Sequence, residues 1–107
     1  MNIVIDKAAR GAAMSAPALL KKSRLLALAG DPTRVKIFCF MFERKEGCVS
    51  DVAAALRMSI SSVSHHLRLM RDNGLLTAHR MGNNICYHLV RNSFTKALEE
   101  LICKVKV

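Results

Sequence analysis

The sequence has no tryptophan, one tyrosine and four phenylalanines in 107 residues. A chain so poor in aromatic side chains, yet 51% hydrophobic, must fill its interior with Ala, Leu, Val and Met, which suits packed helices better than a β-sandwich. Acidic residues are scarce as well. Eight Asp and Glu stand against 17 Lys and Arg, a formal charge of +9, so the surface should draw polyanions, either nucleic acid or an anionic membrane. No apolar run approaches the roughly 20 residues that a membrane span needs, and residues 1–18 lack the continuous apolar core of a secretory signal. No isolated basic amphipathic helix stands out for a membrane surface either. A cytoplasmic location with no membrane partner is expected, and the length holds a single core.

The four cysteines, Cys39, Cys48, Cys86 and Cys103, form no C-x-x-C pair, which argues against a zinc ribbon or a secreted disulfide framework. In a reducing cytosol all four should begin as thiols. There is no P-loop, no nucleophile elbow and no His-Glu-x-x-His, and the acidic pair Glu99-Glu100 reads as a solvated helix face. Neither an enzyme nor a resident cofactor is expected.

What is present is helical periodicity with clear punctuation. Residues 1–15 carry no period and read as a flexible N-terminal arm, leaving 16–107 as the folded domain. Leu19, Leu25, Leu26, Leu28 and Ala29 suit a first helix that Pro17 can open and Gly30 closes. Asp31-Pro32 is an N-cap followed by Pro at the first helical position, starting a second helix to about Arg44 that is apolar almost all round and so central. Lys45–Gly47 reads as a break. Val49, Val52, Ala53 and Leu56 recur at i, i+3, i+4 and i+7 in a short third helix. Ser59 caps a fourth, whose inner stripe is Val63, Leu67 and Met70 and whose stop is Asn73-Gly74. Leu75–Met81 and Ile85–Val90 flank Gly82-Asn83-Asn84 as a two-stranded hairpin, with Ile85, Tyr87 and Leu89 on one face. Asn92 or Ser93 caps a last helix whose broad stripe runs through Phe94, Leu98, Leu101, Ile102 and Val105 and suits a twin subunit.

Two short helices across a tight turn, followed by a hairpin, predict a mainly α winged helix-turn-helix with a small β-hairpin wing. With Val63, Leu67 and Met70 inward, a helix advancing about 100° per residue turns Ser61, Ser64, His65 and Arg68 outward together, with Ser62 beside them. Short Ser side chains let a helix sit deep in a major groove, Arg pairs bidentately with guanine, and His can donate to a base or phosphate. Arg80, Asn83 and Asn84 would set the wing over the neighbouring DNA backbone. His65-His66 makes no chelating pair, because adjacent helical residues diverge.

Three stretches, Leu28–Ile37, Ser59–Arg71 and Asn73–Leu76 running into the hairpin, give residues 19–103 a sequence that resembles the ArsR/SmtB family of prokaryotic metal- and stress-sensing repressors. The resemblance implies a homodimer joined through its first and last helices, reading an inverted-repeat operator in double-stranded DNA, with an inducer that shifts it away from its DNA-competent shape. The reading helix departs from the family at Ile60, where a polar residue, often Gln, is the usual occupant.

The family's Cys-Val-Cys metal motif appears here as Cys48-Val49-Ser50, with one thiolate missing, and the last-helix zinc site is absent because residues 91–107 hold neither Asp nor His. The thiol-based, sulfide- and redox-responsive subgroup carries one Cys in the second helix and one in the last, which form a disulfide or polysulfide link. Cys39 and Cys103 occupy those helices, although on an ideal helix Cys103 points away from the apolar stripe. Thiol oxidation at Cys39 and Cys103 is thus the leading switch. The alternatives are a soft metal ion or arsenical as inducer at Cys48 with other cysteines, and an architectural winged-helix module with no small-molecule inducer.

Overall fold

The computed structural model describes residues 14–106. The expected arm lies outside that range except for Met14 and Ser15. Helix α1 (Ala16–Ala29) starts where the Ser15 side chain accepts from the Ala18 amide, with Pro17 in its first turn. Helix α2 (Pro32–Arg44) is capped by Asp31, which accepts from the Arg34 amide, and ends at Lys45 in the left-handed region with φ 71°. After strand β1 (Glu46–Cys48) come α3 (Val49–Leu56) and α4 (Ile60–Asp72), then strands β2 (Leu76–Met81) and β3 (Asn84–Leu89), then α5 (Ser93–Glu99). The chain therefore folds as a winged helix, mainly α as expected.

Three features differ from the sequence reading. The wing has three strands, not two: β1 pairs antiparallel with β3, giving the order β1-β3-β2. In sequence the Lys45–Gly47 segment looks like a break because three residues are too few to show an alternation. Gly47 is in the strand because space requires it. A Cβ there would stand 2.8 Å from Val52 Cγ2 and 3.0 Å from Phe40 Cε1. In the hairpin, Met81 pairs with Asn84, so the turn is the two-residue Gly82-Asn83 and Asn84 belongs to β3. Gly82, at φ 62°, takes the positive φ of this turn.

The third difference is in the last helix, which changes character after Glu99. Residues Glu100–Lys104 form a π-helical turn, closed by the Val105 amide on the Glu100 carbonyl at 3.0 Å. The wider turn splits the expected apolar stripe. Leu98 is buried, and Phe94 and Ile102 pack against the core, whereas Leu101 and Val105 are exposed.

The core is where the periodicity put it. Ile37, Phe38 and Met41 of α2, Val52 of α3, and Val63, Leu67 and Met70 of α4 are fully buried, and the Phe38 and Phe42 rings stack with centroids 5.9 Å apart. Burial of this kind contributes about 1.5–3 kcal/mol per large apolar side chain. It holds α3 and α4 at a fixed angle, so that the outer face of α4 is set by the inner one. Leu19, Leu20 and Leu26 of α1 remain exposed.

Candidate nucleic-acid interface

Helix α4 begins at a formed cap: the Ser59 hydroxyl accepts from the Ser62 amide at 3.1 Å. Beyond it Ser61, His65 and Arg68 are exposed, and Ser62 and Ser64 half-buried. Arg68 Nη1 donates to Ser64 Oγ at 2.6 Å, one turn back, which lays the guanidinium along the outer face. Ile60 is 60% exposed at the leading end of the helix, an apolar side chain in a polar row.

The wing residues Arg80, Asn83 and Asn84 are exposed. Asn84 is also tied back to the helix pair, accepting at Oδ1 from the Ser50 hydroxyl at 3.2 Å. That contact links the hairpin to the first turn of α3, and Asn83, Asn84 and Ile85 of the wing line one surface cleft together with Ile60 and Ser64 of α4.

His66 points elsewhere. Arg34 reaches it from α2, with Nη1 3.2 Å from His66 Nδ1, while Arg34 Nε donates to the Leu28 carbonyl at 2.6 Å. Burial, and then the neighbouring Arg34 charge, hold the His66 pKa below its usual value. The sequence offered Arg34 only as a match to the Leu28–Ile37 stretch. Its role of tying the end of α1 to α4 was not legible.

The cysteines fall into two pairs. Cys48 and Cys86, opposite each other in the β1–β3 register, are joined in a disulfide. The expectation of four thiols is corrected, for the pairing depends on a strand that the sequence did not reveal. Cys48 accordingly offers no free thiolate in this state. Cys39 and Cys103 are free and exposed, so Cys39 is not core despite its apolar helix. Burial, then the nearby Cys103 thiol and Glu43, raise the Cys39 pKa. The π turn that carries Cys103 packs against α2.

The profile described as "Bacterial regulatory protein, arsR family" matches residues 31–78, from the cap of α2 into β2. The solution structure of apo-NmtR superposes with a TM-score of 0.67 at 30% identity, over 83% of this chain and 74% of that one. The chain belongs to the arsR family. A transcriptional repressor SmtB homolog from Synechocystis sp. is 38% identical over 71 residues, 66% of this chain and 53% of the relative. The AntR antimony-specific transcriptional repressor superposes with a TM-score of 0.75 at 29% identity, over 84% of this chain and 81% of that one. This arsR-family chain spans about half the length of the curated relatives it matches. Among its described residues no helix is long and apolar enough to cross a membrane.

Proposed function

We propose that this chain is a homodimeric, sequence-specific DNA-binding repressor of transcription, with α4 in the major groove of an inverted-repeat operator and the wing over the adjacent backbone. The observation that carries the reading is the outward row of Ser61, Ser64, His65 and Arg68 on a capped second helix of a helix-turn-helix, in a chain of charge +9. Lys and Arg supply affinity for phosphates, and a groove-facing Arg supplies base discrimination. The exposed Leu19, Leu20 and Leu26 of α1 and Leu101 and Val105 after α5 support dimerisation through the first and last helices. Two such monomers would place their reading helices about 34 Å apart, one turn of DNA.

The switch we propose is a Cys39–Cys103 disulfide or polysulfide link. Two thiols give up two protons and two electrons to form the S–S bond, and an inorganic disulfane takes them up, its own S–S bond breaking to release two molecules of hydrogen sulfide. Supporting this are the exposure of both thiols and the packing of the π turn that carries Cys103 against α2, which carries Cys39. Such a bond would lock α2 to the π turn, itself part of the proposed dimer contact, and shift the population away from the DNA-competent form. A second reading is favoured by AntR, a relative named for antimony: reduction of Cys48–Cys86 would free two facing thiolates for a soft metalloid.

The test is a fluorescence-anisotropy titration of the reduced protein against its own promoter, repeated with a polysulfide donor at constant salt. Loss of binding that reductant reverses supports the thiol switch. Binding that withstands the donor but is lost to antimonite or arsenite supports the metalloid reading. Strong salt dependence with no sequence preference would make the chain an architectural module.

A further inference from the structure

The outer face of the wing sheet carries a group of side chains for which DNA reading has no use. In the β1–β3–β2 register, Glu46 stands opposite His88, Cys48 opposite Cys86, and Cys86 opposite His79. Residues paired across strands, and those two apart along a strand, project from the same face. Three of them converge. A carboxylate oxygen of Glu46 and ring nitrogens of His79 and His88 all lie within 4.8 Å of one another. His88 Nε2 is 3.2 Å from Glu46 Oε1, and the His79 and His88 rings stack with centroids 4.6 Å apart.

We propose that Glu46, His79 and His88 form a binding site for a divalent first-row transition ion of the zinc type. Imidazole nitrogen and carboxylate oxygen bind zinc at about 2.0–2.2 Å, so two donors on one tetrahedral ion stand roughly 3.3 Å apart. The Glu46–His88 pair already has that separation, and a shift of His79 on the order of 1 Å brings the third donor to it. Two imidazoles with one carboxylate are a donor set that zinc accepts with its fourth position open to water. The site lies on three rigid strands rather than on a loop. The neighbouring Cys48–Cys86 disulfide withholds both sulfurs from the ligand set, and that leaves a nitrogen and oxygen site suited to zinc, nickel or cobalt rather than to thiophilic ions. A bound ion would join β1, β2 and β3, with His79 reaching diagonally to the Glu46–His88 level, and stiffen the wing.

The proposal does not depend on DNA binding, and its test uses none. Zinc chloride is titrated calorimetrically into the oxidised protein carrying Cys39→Ser and Cys103→Ser, so that free thiols contribute nothing. We expect one ion per chain, with His79→Ala and His88→Ala each weakening affinity about tenfold or more and Glu46→Gln weakening it as well. Unchanged affinity in the His79→Ala/His88→Ala double variant, or no binding at micromolar zinc, overturns the site. Should a variant fail to fold, the wild-type chain decides. Paramagnetic nickel should broaden the NMR signals of His79 and His88 first, and broadening that begins at His65 or His66 places the ion elsewhere.

Discussion

Arg34 holds the imidazole of His66 at 3.2 Å while its Nε is spent on the Leu28 carbonyl, so one guanidinium joins the end of α1, the start of α2 and the middle of α4. Because a guanidinium only donates, His66 Nδ1 must accept, and the ring is neutral with its proton on Nε2.

That neutrality sets a pH dependence. The folded-state pKa of His66 lies below its ordinary value, so between the two values the unfolded chain holds the proton and the folded chain does not. Stability should therefore fall as pH drops through about 6.5, and the fall should continue down to the folded-state pKa. Replacing His66 with Gln, which can still accept from Arg34, should flatten that part of the profile in thermal melts. A slope as steep as that of the wild type would remove His66 as its source.

Arg68 is exposed and lies along the outer face through Ser64. Arg68→Ala should weaken operator binding by about 1–3 kcal/mol and relax base preference at one position in each half-site. An unchanged isotherm for the folded variant would exclude Arg68 from base reading.

Ile60, exposed at the leading end of α4, suits a thymine methyl group, the one apolar mark in the major groove. Replacing the contacted thymine by uracil should cost the wild type about 0.8 kcal/mol, the worth of one buried methyl, and cost Ile60→Gln nothing. Equal losses in both proteins would dismiss the contact.

Cys39→Ser and Cys103→Ser should each abolish polysulfide-induced release from DNA, while Cys48→Ser and Cys86→Ser should not. Since Cys39 titrates above the ordinary thiol value and the thiolate is the reactive form, its alkylation by iodoacetamide should still be accelerating at the pH where an unperturbed thiol has levelled off.

Gly47→Ala should destabilise the fold by about 1–3 kcal/mol through overpacking, because the new methyl meets Val52, Phe40 and Met41. A denaturation midpoint equal to that of the wild type would mean that β1 moves away from the core at little cost.

The sequence by itself determined the order of the helices, their caps and the outer face of α4. Those features rest on local signals that span a few residues: Asp31 and Ser59 as caps, and Val63, Leu67 and Met70 at helical spacing, whereas the Ser15 cap, inside the expected arm, was not legible. Once the inner stripe is apolar, geometry alone aims Ser61, Ser64, His65 and Arg68 outward. Only the tertiary structure decided what depends on residues far apart in the chain. β1 exists because β3 offers it a partner, and three residues alone carry no detectable period. The Cys48–Cys86 bond follows from that pairing, as does the convergence of Glu46, His79 and His88. The π turn that carries Cys103 packs against the distant α2, with its Ile102 on the core, and backbone propensity contains no signal for it. Local interactions choose elements, but long-range packing chooses which side chains meet, and the chemistry proposed for the thiols and the wing lies in those meetings.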